Sequence, residues 1–247
     1  MSLDRPIVNA RVVAHRGASS ISPENTLESV REAVRLGCTW IETDVRLTAD
    51  MKLVMIHDET VDRTSNGKGT VLGHTLEEIQ KLDSGSWFSD AFAGAVAPSL
   101  DEYLDCILDS GANLQLEVKE VPGLELELVQ RVAEVLRRKW PFGKRGLYIS
   151  AFSERCLRHA AELLPDVPRC LARVAIPADP LKLQAETNFQ ILHFQDMPYN
   201  TKARYDMLKA TGIEFAVATV ADPARALELL SWGAQSVLSD DADLLDI

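Results

Sequence analysis

The hydrophobic pattern changes period again and again along the chain. Short β-rich runs stand at Val12 to His15, Trp40 to Arg46, Leu114 to Lys119, Leu147 to Ala151, Pro168 to Arg173, Ile191 to Phe194, Glu214 to Thr219 and Ser236 to Ser239. Between them lie stretches with helical spacing, at Asn25 to Leu36, Leu124 to Lys139, Glu154 to Leu164, around Leu181 to Glu186, Lys202 to Ala210 and Pro223 to Leu230. Strand and helix in alternation predict a parallel sheet. Eight strands, each followed by helical sequence, predict an α/β fold of the closed (β/α)₈ TIM-barrel type rather than an open doubly wound sheet. Gly37, Gly111, Gly212 and Gly233 stand where these helices should stop, which suits a left-handed terminal residue.

One stretch breaks the rhythm. Between the second and third strands, about 58–110 is too long for an ordinary βα connection and predicts a small insertion within a single domain spanning 1–247. It holds a Gly-rich turn at Asn66, Gly67 and Gly69, helical segments around Leu76 to Leu82 and Leu100 to Leu108, and the aromatics Trp87 and Phe88. Following a strand, it should sit at the barrel mouth, where the loops at the strands' C-terminal ends build active sites.

Composition narrows the function classes. At 247 residues and 46% hydrophobic, the chain can bury a large core, and 26% charged residues match a soluble globular protein. The net charge of −11 opposes nucleic acid and anionic membranes as partners, since both favour a basic footprint. No run reaches the roughly 20 apolar residues of a membrane span, and the N-terminus lacks the order of a signal peptide. A cytoplasmic protein is the expectation, although a signal removed ahead of Met1, Ser2 and Leu3 stays compatible with the sequence. Cys38, Cys106, Cys156 and Cys170 lie far apart and read as reduced thiols.

Chemistry enters with the strand faces. Period two puts Trp40, Glu42, Asp44 and Arg46 on one face of the second strand and Ile41, Thr43 and Val45 on the other. In the third strand Asn113, Gln115, Glu117 and Lys119 share the lumen face while Leu114, Leu116 and Val118 face outward. Two carboxylates close together inside a barrel repel unless a cation or proton compensates, and Glu117 supplies a third oxygen ligand. An all-oxygen set favours Mg²⁺ or Ca²⁺. Any one of these acids alone would suit a salt-bridged strand end with Arg16, Arg46 or Lys119. His15 ends the first strand and His57 ends the extended run Leu53 to Ile56. Paired histidines suit general acid and base work near neutral pH. Arg16 offers a planar fork for a phosphate and Lys119 a point charge. His74 and His159 read as packing or surface residues, His193 at a strand end as a satisfied core histidine or a pocket residue, and the Ser22 to Thr26 turn as a capped helix start.

At these residues the sequence resembles the glycerophosphodiester phosphodiesterase family. HRGASSISPENT (His15 to Thr26), ETDVRLTAD (Glu42 to Asp50), HDETVDRTSNGKG (His57 to Gly69), LEVK (Leu116 to Lys119) and GAQSVLSDDAD (Gly233 to Asp243) match its motifs in type and order over nearly the whole chain. The resemblance implies a (β/α)₈ barrel that cleaves glycerophosphodiesters to glycerol 3-phosphate and an alcohol. It implies His15 and His57 as acid and base, Glu42, Asp44 and Glu117 as ligands of one divalent cation, and Arg16 and Lys119 beside the phosphate. Relatives directed at lipids, of lysophospholipase D or phospholipase C-like type, are the alternative, and a non-catalytic phospholigand-binding barrel is a third. Ala218 and Ala221 stand where the family commonly has tryptophan and asparagine, and Met51 where a glycine is frequent, so the alcohol head group is left open.

Overall fold

The computed structural model describes residues 6–141, 143–241 and 244. Met1, Ser2 and Leu3, and the Ala242 and Asp243 end of the late motif, lie outside them. Eight parallel strands close on themselves: β1 (Val12–His15), β2 (Trp40–Leu47), β4 (Asn113–Val118), β5 (Leu147–Ala151), β6 (Arg169–Arg173), β7 (Ile191–Gln195), β8 (Glu214–Ala218) and β9 (Ser236–Ser239). Each pairs with its neighbour in chain order, and β1 pairs with both β2 and β9, which shuts the barrel. The expected (β/α)₈ barrel is therefore the fold. The short β3 (Leu53–Met55) runs antiparallel to the end of β2, with Val45 opposite Met55 and Leu47 opposite Leu53.

Period two divides the core into two layers. Val13, Trp40, Tyr148, Cys170, Ile191, Ala216 and Leu238 point into the lumen and pack on one another, with Trp40 and Tyr148 ring centroids 5.5 Å apart. Ile41, Val45, Leu114, Leu116 and Val118 point the other way, into the larger core shared with the helices. Burying the two faces against different partners fixes register, because a one-residue slip would exchange them. The lower end of the barrel is closed by the N-terminal segment: Ile7 and Val8 donate their backbone N–H groups to Glu214 at 2.8 and 2.9 Å, and Asn9 accepts from the Trp40 indole at 2.7 Å.

Helix signals in the sequence do what physics asks of them. In α4 (Glu125–Lys139) acids occupy the first turn, and Arg137, Arg138 and Lys139 occupy the last, opposing the helix dipole at both ends. Its buried stripe, Leu128, Val129, Val132, Ala133 and Leu136, faces the barrel. In α3 (Leu100–Ser110) Ser99 and Glu102 form a capping box, and Gly111 leaves the helix at φ +75°. This helix packs beside α1 (Leu27–Arg35) and α4 as a regular member of the outer ring. The excursion away from the barrel is therefore carried by residues 48–99, including β3, the short α2 (Leu76–Ile79) and a small core of Val54, Ile56, Val61, Val71, Ile79 and Ala97. Met51, in the β2–β3 turn, holds φ +54°, a conformation that glycine adopts without strain.

The turn after β1 positions the first candidate residues. Arg16 and Gly17 both take positive φ, +59° and +81°, and the chain doubles back so that Ala18 donates to the carbonyl of Ser29 at 3.0 Å. A Cβ on Gly17 would lie 2.4 Å from Ser29 Oγ and 2.7 Å from its backbone carbon. Gly17→Ala therefore combines overpacking with left-handed strain and should destabilise by about 3 kcal/mol, lowering Tm by about 6–12 °C in a chain of this size. Thermal unfolding followed by circular dichroism checks this; a Tm within about 2 °C of the parent would show that the turn relaxes freely.

Candidate active site

A cavity of about 450 Å³ opens at the C-terminal ends of the strands. His15, Arg16, Glu42, His57, Glu117 and Lys119 line it, so six of the seven predicted residues share one pocket. The seventh, Asp44, lies against the same group. Glu42, Asp44 and Glu117 each place a carboxylate oxygen within 4.8 Å of the other two, and all three are buried. The β2–β4 register explains the meeting: Glu42 stands opposite Gln115 and Asp44 opposite Glu117 on adjacent strands.

Three buried carboxylates need compensation, and the structure supplies it unevenly. Lys119 Nζ is 3.0 Å from Asp44 Oδ1 and also holds Glu117, while the Arg16 Nε lies 3.4 Å from Asp44 Oδ2. Asn25, itself at φ +58°, donates to Asp44 Oδ2 at 2.9 Å and accepts from the Thr43 hydroxyl and the Asp44 backbone N–H. Burial alone would raise the Asp44 pKa, but Lys119 and Arg16 outweigh it and hold the carboxyl well below the usual range. Glu42 fares differently. Its Oε2 accepts the Arg16 backbone N–H at 3.0 Å, whereas its Oε1 is buried with no hydrogen-bond partner. Burial and then the Asp44 charge push its pKa up to about 8. Glu117 is shifted in the same direction, by burial and by Asp44. An orphaned buried oxygen among three converging carboxylates fits a hard divalent cation, whose ligands are all oxygen.

Each histidine is backed by an aspartate. His15 Nδ1 lies 2.6 Å from Asp240 Oδ1, which also accepts from Ser19, and its Nε2 points toward Glu42 at 3.8 Å. His57 Nδ1 lies 2.8 Å from Asp58 Oδ1, leaving Nε2 for the cavity that it lines. Such a partner fixes ring orientation and tautomer. The surroundings then separate the two. Burial disfavours a charged His15, but Glu42 and Asp240 more than offset this, and its pKa is raised. For His57 burial prevails, helped by the charges of Lys119 and Arg16, and its pKa is lowered.

Several residues that the sequence did not single out complete the site. Asp240 follows β9, 225 positions from His15, and only the closed barrel joins them. Glu24 and Asn25 were expected merely to start a helix; instead Thr26 caps α1, and the two preceding side chains turn into the site. His193 forms the cavity floor, closed in a ring where Tyr148 donates to Gln115 at 2.5 Å and both contact the imidazole. Burial lowers its pKa to about 3, so it stays neutral. The far wall, from β5 to β8, brings Phe152, Arg173, Gln195, Met197 and Ala218. His74 and His159 do not line it. The four cysteines are free, as expected, and among the described residues no helix is long and apolar enough to cross a membrane.

Fold and site together define a TIM-barrel enzyme whose mouth joins an acidic triad to two aspartate-backed histidines. The profile of the glycerophosphoryl diester phosphodiesterase family matches residues 15–244. The chain belongs to that family and is a phosphoric diester hydrolase. It is 34% identical to a glycerophosphodiester phosphodiesterase of Caldanaerobacter subterraneus subsp. tengcongensis over 95% of each chain. It is also 32% identical to one from Bacillus subtilis, over 94% of this chain and 84% of that one. Among solved structures, an Oleispira antarctica phosphodiesterase in complex with the product sn-glycerol-3-phosphate superposes with a TM-score of 0.92 at 33% identity, covering 96% of this chain and 95% of that one.

The raised Glu42 pKa has a measurable consequence. Without a cation, the folded state keeps the Glu42 proton up to about pH 8, while the unfolded chain loses it near pH 4.5. Between these limits the contribution of Glu42 to stability falls as pH rises. A divalent cation competes with that proton, so the Tm gained on adding Mg²⁺ or Ca²⁺ to EDTA-treated protein should be larger at about pH 8 than at about pH 5. Equal gains at both would place the cation away from Glu42.

Proposed function

We propose that the chain acts as one catalytic domain that hydrolyses a glycerophosphodiester to glycerol 3-phosphate and an alcohol. The observation that carries this reading is the pair of aspartate-backed histidines beside Glu42, Asp44 and Glu117 in one cavity. The product named for the Oleispira protein agrees with it.

On this reading Glu42, Asp44 and Glu117 hold one Mg²⁺ or Ca²⁺. Bound there, the cation supplies positive charge against the charge that develops on the phosphate. Arg16 and Lys119 take phosphate oxygens from the adjacent rim, the first by its fork and the second as a point charge. The histidine environments divide the proton work. His57, depressed and therefore neutral near pH 7, takes a proton from the attacking oxygen. His15, oriented by Asp240 on its Nδ1, gives one to the departing alcohol. Water can supply the attacking oxygen directly. Where a hydroxyl of the substrate's own glycerol attacks instead, the alcohol leaves as a cyclic phosphate forms, and a water must then open that ring to give glycerol 3-phosphate, with the same two residues moving the protons.

The first test is glycerol 3-phosphate release from a panel of glycerophosphodiesters and lysophospholipids. Release should be abolished by EDTA and restored by a divalent cation; turnover confined to lysophospholipids would favour the lipid-directed alternative, and no turnover with any substrate would defeat hydrolysis. His57→Ala should lower kcat by about 10²- to 10⁴-fold with cation affinity retained, whereas Glu42→Ala should impair both. Isothermal titration with the cation separates these outcomes, and equal loss of affinity in the two variants would remove the proposed division of labour.

A further inference from the structure

Arg63 lies outside the cavity lining and 44% of its side chain is exposed, yet its guanidinium is fully engaged with two carboxylates of the site. Its Nη1 and Nη2 donate to Glu24 at 2.7 and 2.8 Å, and its Nε and Nη2 donate to Asp58 at 2.8 and 3.1 Å. Neither carboxylate is a bystander. Glu24 accepts from Arg16 Nη1 at 2.8 Å, and Asp58 lies 2.8 Å from His57 Nδ1. Trp87 lies beside the guanidinium, 6.0 Å from ring centroid to Cζ.

We infer that Arg63 is a positioning residue that locks the proton-handling His57 to the phosphate-facing Arg16 through one fork. The inference rests on the function proposed above. The continuous path runs from His57 through Asp58, Arg63 and Glu24 to Arg16. It joins two parts of the chain that no regular element joins: the turn after β1 and the segment after β3. Two parallel N–H···O bonds to each carboxylate fix direction as well as distance, which a single ammonium cannot do. Without Arg63, Glu24 would keep Arg16 as its one strong cationic partner and draw that side chain out of its fork geometry, and Asp58 would be free to rotate with His57.

The test is steady-state kinetics on Arg63→Ala, Arg63→Lys, His57→Ala and the His57→Ala/Arg63→Ala double variant, with Tm and cation affinity measured on each. Arg63→Ala should lower kcat by about 10²-fold, the scale of a small misplacement of reacting groups, with KM and cation affinity changed far less. Arg63→Lys should recover only part of the loss. In the His57→Ala background, loss of Arg63 should cost clearly less than in the parent, because only its hold on Arg16 through Glu24 is left to lose. Arg63→Ala with parental kcat, Arg63→Lys with full activity, or fully additive losses in the double variant would overturn the inference while leaving the acid-base reading intact. Parental turnover in His57→Ala would overturn both. Where Arg63→Ala unfolds, the partial recovery in Arg63→Lys at parental Tm carries the same decision.

Discussion

Three carboxylates at the mouth of a closed barrel set the terms for everything around them. Glu42, Asp44 and Glu117 come from two adjacent strands whose register brings them within 4.8 Å of one another, and such a cluster repels itself in a low-dielectric interior. Each neighbouring feature answers that repulsion. Lys119 and Arg16 neutralise Asp44, Asn25 fixes one of its oxygens, and Glu42 is left with a proton or a cation as its remaining compensation. The inequality among the acids is informative. A uniformly satisfied cluster would be a structural salt bridge, whereas the orphaned Glu42 oxygen among three carboxylates is what a cation site would leave.

The barrel makes that arrangement affordable by holding it rigidly. Lumen side chains below the triad are tightly packed around Trp40 and Tyr148, and the polar floor made by Gln115, Tyr148 and His193 satisfies itself in a closed ring. A neutral His193 adds no charge beneath three acids. The two histidines reach the cavity from different segments, one tied to the residue after β9 and the other to the segment beyond β3. Their separate surroundings move one pKa up and the other down.

Much of this was legible along the chain because the informative signals are local. Period two places Glu42 and Asp44 on one face of the second predicted strand, and the same rule places Glu117 on the lumen face of the third; alternation with helical runs then closes the barrel. What escaped notice depends on closure or on side-chain direction. Asp240 meets His15 only because β9 pairs with β1, and an aspartate at a strand end carries no signal of its own. Asn25 looks like a helix start because it is next to one, and its inward turn depends on a positive φ that no pattern announces. The expected insertion ran through 110, but its last helix, α3, answers the rhythm of the ring; the break lies where β3 folds back on β2. A hydrophobic period identifies helices without saying which of them touch the barrel.

The two halves of the cavity carry different kinds of information, and this bears on specificity. The triad, both histidines, Arg16 and Lys119 come from β1, β2, β4 and the segments that follow them, a charged half in which every side chain is held by another. The half built by β5 to β8 presents Phe152, Arg173, Gln195, Met197 and Ala218. There the charged groups already have protein partners: Arg173 is bonded to Glu154 and to the Phe152 carbonyl, and Asp196 to Arg225. Ala218, Met197 and Phe152 offer surface without directional bonds. On the proposed reading, a phosphate anchored in the charged half leaves this second wall to one of its two ester groups, glycerol or alcohol, which the apolar part of the wall meets by shape and contact. Hydrophobic contacts of that kind discriminate modestly, by about 1–3 kcal/mol per missing or added methylene. A site of this construction fixes the reaction far more tightly than it fixes the alcohol.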